Sequence, residues 1–295
     1  MAKTITFINS LGEELVLTNS APFLLQSFTQ SGNVNIYSSK NMNQDGKNYQ
    51  GNTLDIMDIS LEVALIGNTK EELQRYKNKI IKILNPKNGE GWLCYKNNIN
   101  ERKVKCIINK IPFFNIINSN RIYNGLISLT ANNPFWTDLI EDKEEIALWK
   151  GDFSFSEDGS DGFELIDDGI EIGHRELSLI VNILNSGDVE CGMRIEFKAL
   201  ATLTNPNILN VNTGEYIKIN KGMVAGEVVS ISTYFGSKKI DSILNGVTTN
   251  IFNYIDFQST FLQLDVGDNL FRYNSDTGID NLEVNIYYQQ QYLGV

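Results

Sequence analysis

The residues able to carry out chemistry are few and scattered. His174 is the only histidine, so any Ser-His-Asp or Cys-His centre must be built on it. It sits in Glu171-Ile-Gly-His174-Arg175-Glu, a polar turn with no nucleophile motif beside it, and GxSxG, HExxH and GxxxxGK[ST] are all missing. The expectation is a surface histidine. A pair of carboxylates is enough for a glycosidase, but none of the 36 acidic residues forms a pair that stands out. Glu157-Asp158-Gly159-Ser160-Asp161-Gly162 through Asp168 resembles a calcium loop in its sixth and twelfth places. Its third place is Gly159 and its twelfth is Asp instead of Glu, so two oxygen ligands are lost or shortened, and a plain acidic turn is expected. Cys94, Cys106 and Cys191 form no CxxC pair. Cys94 and Cys106 flank a turn near Asn98 to Glu101 and could face each other across a hairpin, though all three read as free, buried thiols. Trp92, Trp136 and Trp149 could stack on sugars, but aromatics in strands more often fill a core. No cofactor or metal site is expected.

Composition narrows the classes further. A length of 295 residues is room for two domains, and 42% hydrophobic with 21% charged residues is ordinary for a globular protein. A net charge of −11 argues against wrapping DNA or RNA, because gripping phosphates requires Lys and Arg to neutralise them. No apolar run is long enough to span a membrane, and Met1-Ala-Lys-Thr-Ile5-Thr-Phe7 alternates like a strand. A product that stays soluble in the cell making it is expected, with no membrane insertion.

The positioning elements are mostly strands. The exception is a helix predicted over 69–84: Asn68 is its N-cap, Glu71 completes a capping box, and Pro86 ends it. Leu73, Tyr76, Ile80, Ile81, Ile83 and Leu84 fall on one arc, with Lys77 lying along the surface. Such a helix must cover a sheet. Before it, Asn9 to Glu13 turns a first hairpin, and Ile59, Leu61, Val63 and Leu65 alternate as a half-buried strand. Between these lies the polar stretch Ser38 to Asn52, with almost nothing to bury. It is either disordered or an arm that orders against another surface.

Past the helix, strands run through Trp92–Tyr95, Val104–Ile108 and Gly125–Thr130 to Asn133-Pro134-Phe135-Trp136. The acidic run Asp138 to Glu145 reads as a connector. The second half shows strands at Leu177–Leu184, Cys191–Phe197, Tyr216–Ile219, Val228–Tyr234, Leu270–Tyr273 and Leu282–Tyr288. Turn residues such as Asn245-Gly246 separate them, the pattern of a β-sandwich or jelly roll.

The ordered series of these features resembles the siphophage distal tail protein, or phage tail family protein. In the first half the resemblance rests on Gln44-Asp45-Gly46, the strand Ile59–Leu65, Leu84-Asn85-Pro86, Gly89-Glu-Gly91-Trp-Leu-Cys-Tyr95, Arg102–Pro112 and Leu129 to Trp136. In the second it rests on Asn205-Pro206 to Thr213-Gly214, Val224-Ala-Gly226-Glu-Val-Val, Leu264-Asp-Val-Gly267-Asp-Asn269 and Val284 to Tyr288 with Gly294. It covers nearly the whole chain. Asp265-Val266-Gly267 departs from a family pattern that often has proline before glycine, which touches only a turn.

The resemblance implies a mainly β protein. Residues 1–137 would be a ring-forming N-terminal β-sandwich with one α-helix and a long hairpin arm, 138–146 a linker, and 147–295 a galectin-like, jelly-roll-like C-terminal β-sandwich. The arm, or belt, at about 38–52 would embrace a neighbouring subunit through Asn41, Gln44, Asp45, Gly46 and Tyr49. It also implies a non-enzymatic tail-tip hub: a homo-hexamer ring bound to the tail tube protein, the tail-associated tip protein and receptor-binding or baseplate proteins, with DNA passing through. A polar arm able to pair with a neighbour's sheet edge suits a closed ring, and an acidic surplus suits a conduit that does not grip DNA. Two other readings remain: a carbohydrate-binding module recognising wall glycan through the C-terminal sandwich, and a wall-degrading enzyme.

Overall fold

The computed structural model describes residues 3–116, 121–146 and 180–295, with the backbones of Trp149–Lys150 and His174–Arg175. The chain divides into two compact units: Met1–Leu139 with Gln291–Val295, and Ile140–Gln290.

Unit 1 contains β1 (Thr4–Ile8), β2 (Glu14–Leu17), β3 (Phe23–Ser39), β4 (Asn48–Ile66), α1 (Lys70–Ile83), β5 (Gly91–Lys96), β6 (Glu101–Ile116), β7 (Ile122–Ala131) and β8 (Trp136–Asp138). They pair in the order β2-β1-β5-β6-β7-β4-β3, with β8 beside β6. β6 joins two leaves of this sheet: Glu101–Cys106 registers with β5, and Ile107–Ile116 with β7. Ile5, Phe7, Leu15 and Leu17 from one leaf thereby share a core with Ile59, Leu61, Val63 and Leu65 from the other. Trp136 is fully buried there, donating Nε1–H to Gln30 Oε1 at 2.9 Å.

α1 lies against β2, β4 and β6 and buries Leu73, Ile80 and Ile83. Each such side chain removed from water contributes ~1.5–3 kcal/mol, which holds a helix too short to persist alone. Its N-cap is Thr69, not Asn68. Thr69 Oγ1 accepts from Glu72 N at 3.1 Å, and Glu72 Oε2 accepts from Asn68 N at 2.9 Å. Thr69-Lys-Glu-Glu72 thus has the spacing of a capping box one residue later than expected, with the Glu72 carboxylate taking the N–H of Asn68 just before the cap. Asn9 ties the first hairpin to the end of α1: its Oδ1 accepts from Leu11 N and Glu13 N, and its Nδ2 donates to Ile83 O at 3.2 Å.

The two cysteines of the β5–β6 hairpin do not face each other. Asn97 N donates to Asn100 O, and Asn97 Oδ1 accepts from Ile99 N and Asn100 N. That turn pairs Lys96 with Glu101, setting Cys94 opposite Lys103 and Cys106 opposite Gly91.

Unit 2 contains β9 (Asp142–Ile146), β10 (Trp149–Lys150), β11 (His174–Arg175), β12 (Ile180–Asn185), β13 (Met193–Ala199), β14 (Leu203–Thr204), β15 (Asn207–Asn210), β16 (Tyr216–Lys218), β17 (Gly222–Met223), β18 (Val228–Ser232), β19 (Lys239–Leu244), β20 (Val247–Asn250), β21 (Gly267–Asn274) and β22 (Leu282–Tyr288). Six of these form the sheet β20-β19-β18-β13-β22-β9 and four form β12-β21-β15-β16. Met193, Ile195, Phe197, Val284 and Ile286 of the first share a core with Ile183, Ile208, Ile217 and Phe271 of the second. Residues alternating between core and solvent on two antiparallel sheets make a sandwich. Asn245 (φ 51°) and Gly246 (φ 78°) form the two-residue turn between β19 and β20, as two positive φ values require.

Two segments depart from the expected boundaries. The acidic run read as a connector contains β9, which pairs with β22 from Tyr288↔Asp142 to Val284↔Ile146 and buries Ile146. One strand edge was open on β22, and an acidic strand with a single inward apolar side chain can occupy it. Residues 291–295, assigned by sequence to the second domain, return to unit 1, where β23 (Gln291–Tyr292) pairs with β8.

Candidate assembly interface

The stretch Ser38 to Asn52 is the end of a long hairpin. β3 pairs with β4 from Phe23↔Leu65 to Ser39↔Asn48, with irregularities at Leu25/Ser27, Gly32/Val34 and Tyr37/Ser38. β7 covers β4 only between Met57 and Ile66. Among the described residues, the part of β4 before Met57 therefore has β3 as its only strand partner. Val34 to Ser39 carries the ribbon about 17 Å further at ~3.4 Å per residue. A free two-stranded ribbon is marginal in water, and this one leaves Ser31–Ser38 and Asn52–Ile56 exposed throughout.

The tip is held by its own polar groups. Gln44 Nε2 donates to Asn48 Oδ1 at 3.0 Å, Gln44 Oε1 accepts from Asn41 N at 3.4 Å, and Gln44 N donates to Asn41 O at 3.3 Å. Gly46 takes φ 80°, the left-handed turn conformation that glycine adopts without strain. Of the five expected arm residues, Gln44 and Gly46 thus shape the turn, while Asn41, Asp45 and Tyr49 are exposed. Between Ser31 and Ile56 the exposed part of the ribbon carries Lys40 and Lys47 against Asp45 and Asp55, so this segment has no net charge in a chain of −11.

Apolar residues flank the polar stretch Ser38 to Asn52 on the ribbon. Val34 is 48% exposed, Ile36 66% and Leu54 39%, so the ribbon presents an apolar stripe to solvent. Val34 and Ile36 share a face by alternation, and Leu54 lies directly opposite Val34. The trace in the sequence is Val34-Asn-Ile36, a short alternation easily lost in polar surroundings. A second exposed apolar group lies across β6 and β7, where Phe113 faces Leu126 and Ile111 points the same way. Among the described residues Ile107–Ile116 of β6 pairs only with β7, so this group sits beside a strand edge that none of them covers.

Comparison with known proteins shows the family. The profile of the phage tail protein RIFT-related domain matches residues 10–131, and that of the siphovirus-type tail component, C-terminal domain, matches residues 186–292. The chain belongs to the siphophage distal tail family. Its fold is similar to that of the distal tail protein (Dit) of phage SPP1, described as a paradigm of the hub adsorption apparatus in phages infecting Gram-positive bacteria. The TM-score is 0.69 at 11% identity, covering 98% of this chain and 99% of that one. A chain of the phage P2 baseplate in its activated conformation with Ca gives a TM-score of 0.56 at 11% identity over 100% of both chains. The corresponding baseplate with Sr gives 0.54 at 11% identity, covering 99% of both. No curated protein sequence matches.

Cys106 and Cys191 are buried thiols pushed by desolvation to a pKa of about 12, and Cys94 is raised by the same cause, so none is poised as a nucleophile. Trp92 is partly exposed, with Lys103 Nζ 5.0 Å from its ring centroid, while Trp136 fills the core. Among the described residues no three His, Cys, Asp or Glu side chains are grouped to hold a metal, and no helix is long and apolar enough to cross a membrane. The side chains of Trp149 and His174 and the calcium-like stretch Glu157 to Asp168 lie outside the described residues.

Proposed function

We propose that this chain is the structural, non-enzymatic hub of a siphophage tail tip. Copies of it close into a ring, six by the family resemblance, joining the end of the tail tube to the tip and receptor-binding proteins while DNA passes through. The observation carrying this reading is the exposed part of the β3–β4 ribbon, Ser31 to Ile56, which among the described residues has open edges, an exposed stripe of Val34, Ile36 and Leu54, and no net charge. A ribbon of this kind gains stability by adding to a neighbour's sheet edge, and identical head-to-tail contacts close a ring. Absence of net charge lets it approach an acidic neighbour. The open edge of β6 beside Phe113 and Leu126 is a fitting receptor for such contacts.

The test is the mass of the purified chain by native mass spectrometry, with negative-stain imaging, beside a variant lacking Asn41 to Tyr49. The full chain is expected to form closed rings, and the variant folded monomers. Rings of normal size from the variant would remove the arm from the argument. A ring lumen dominated by Lys and Arg would count against the conduit role, because basic walls retain phosphates.

A further inference from the structure

Unit 2 contains a groove of about 660 Å3 between the β19–β20 hairpin and the turn after β17, within the size range of small-molecule sites. Its floor is built from Glu227, Lys221 and Ser242. Glu227 is 2% exposed. Its Oε1 accepts from Lys221 Nζ and Ser242 Oγ, and its Oε2 accepts only a long 3.3 Å bond from Val224 N. Lys221 Nζ also donates to Gly222 O at 3.1 Å, using two of its three donors. Oε2 therefore retains accepting capacity beside a remaining ammonium N–H, and the two charges cancel. Burial pushes the Glu227 carboxyl up, but the donors Lys221, Ser242 and Val224 outweigh it and hold it below the ordinary range. It is a carboxylate at neutral pH.

The walls differ from the floor. Val224 is 48% exposed, Val247 65% and Tyr254 41%, so aliphatic and aromatic surface rises from an ionic base into solvent. We propose that this groove binds a neutral carbohydrate, with a vicinal hydroxyl pair donating to Glu227 and accepting from Lys221 while a C–H face of the sugar ring lies against Tyr254 and Val224. An anionic ligand meets the Glu227 carboxylate, and a cationic one meets Lys221. A lipid chain leaves the ion pair facing hydrocarbon. A peptide finds its natural partner in the exposed edge of β20, not in buried side chains.

Saturation-transfer NMR on the full chain tests this against glucose, galactose, N-acetylglucosamine, N-acetylgalactosamine, cellobiose and lactose, with glucuronate, glucosamine and a neutral tripeptide as contrasts. At least one neutral sugar is expected to show transfer. Tyr254→Ala, at an exposed position, is expected to weaken that sugar about tenfold, the equivalent of one lost stacking contact, with an unchanged melting curve. Glu227→Gln, which keeps shape and removes charge, should weaken it further. The proposal falls if no neutral sugar shows transfer, if only a charged sugar or the peptide does, or if Tyr254→Ala binds like the parent. A chain that closes into rings yet shows no transfer overturns this site and leaves the hub reading standing.

Discussion

At the scale of single residues, Glu227 is held by burial and by three donors at once. A carboxylate removed from water costs several kcal/mol unless hydrogen-bonded and paired, and here Lys221, Ser242 and the Val224 N–H meet that demand. Glu227→Ala should lower the unfolding free energy by roughly 2–4 kcal/mol at pH 7, as loss of a buried paired charge does. The sign with pH follows from the depressed carboxyl. Its contribution is fully present above the ordinary carboxylate value of 4.5 and disappears as pH falls through the lowered one. Urea unfolding of parent and Glu227→Gln should therefore show a gap at pH 7 that narrows below about pH 4; a gap constant with pH would contradict the assignment. This site was not legible in the sequence. Glu227 follows the turn at Gly226 like any solvated acid. Its burial depends on β18 and β19 pairing Val229 with Ser242, a register that no local pattern displays.

At the scale of elements, periodicity was legible and register was not. The 3.6-residue arc placed Leu73, Ile80 and Ile83 on the buried side of α1, because burial forces that spacing on any helix covering a sheet. The cap slipped by one residue because Asn68 and Thr69 are both good caps and only backbone geometry selects between them. Thr69→Ala should cost about 1 kcal/mol in chemical denaturation and Asn68→Ala a few tenths; equal costs would show that the cap is shared. The same limit applies to the hairpins. Alternation revealed Ile59, Leu61, Val63 and Leu65, whereas the Cys94–Lys103 pairing depended on the four-residue turn that Asn97 ties. The arm was legible as a segment with little to bury. Its ribbon form and the outward Val34, Ile36 and Leu54 were not, because apolar residues facing solvent break the rule by which strands are read.

At the scale of the whole molecule, two β units follow from length and turn spacing, but the last crossing does not. Gln291-Tyr292 is too short to announce its partner, which depends on an edge left open at Trp136–Asp138. There Arg102 stacks 3.5 Å from the Tyr292 ring centroid and donates to Gly294 O, while Tyr292 OH donates to Asp138 Oδ2 at 3.2 Å. Removing residues 291–295 should destabilise unit 1 by roughly 1–3 kcal/mol through the lost strand pair and cation–π contact. Calorimetry should show the transition of unit 1 falling while that of unit 2 stays, and equal shifts in both would refute independent units. The β8–β23 pair also determines how load travels. Because the strands are antiparallel and unit 2 is inserted between them, both its attachments leave the pair from one end. A pull on unit 2 therefore peels the pair open one rung at a time, the weakest way to load a sheet, instead of shearing all its hydrogen bonds together. Arg102, gripping Tyr292 and Gly294 beyond the Gln291–Thr137 rung, is where that unzipping meets its last resistance.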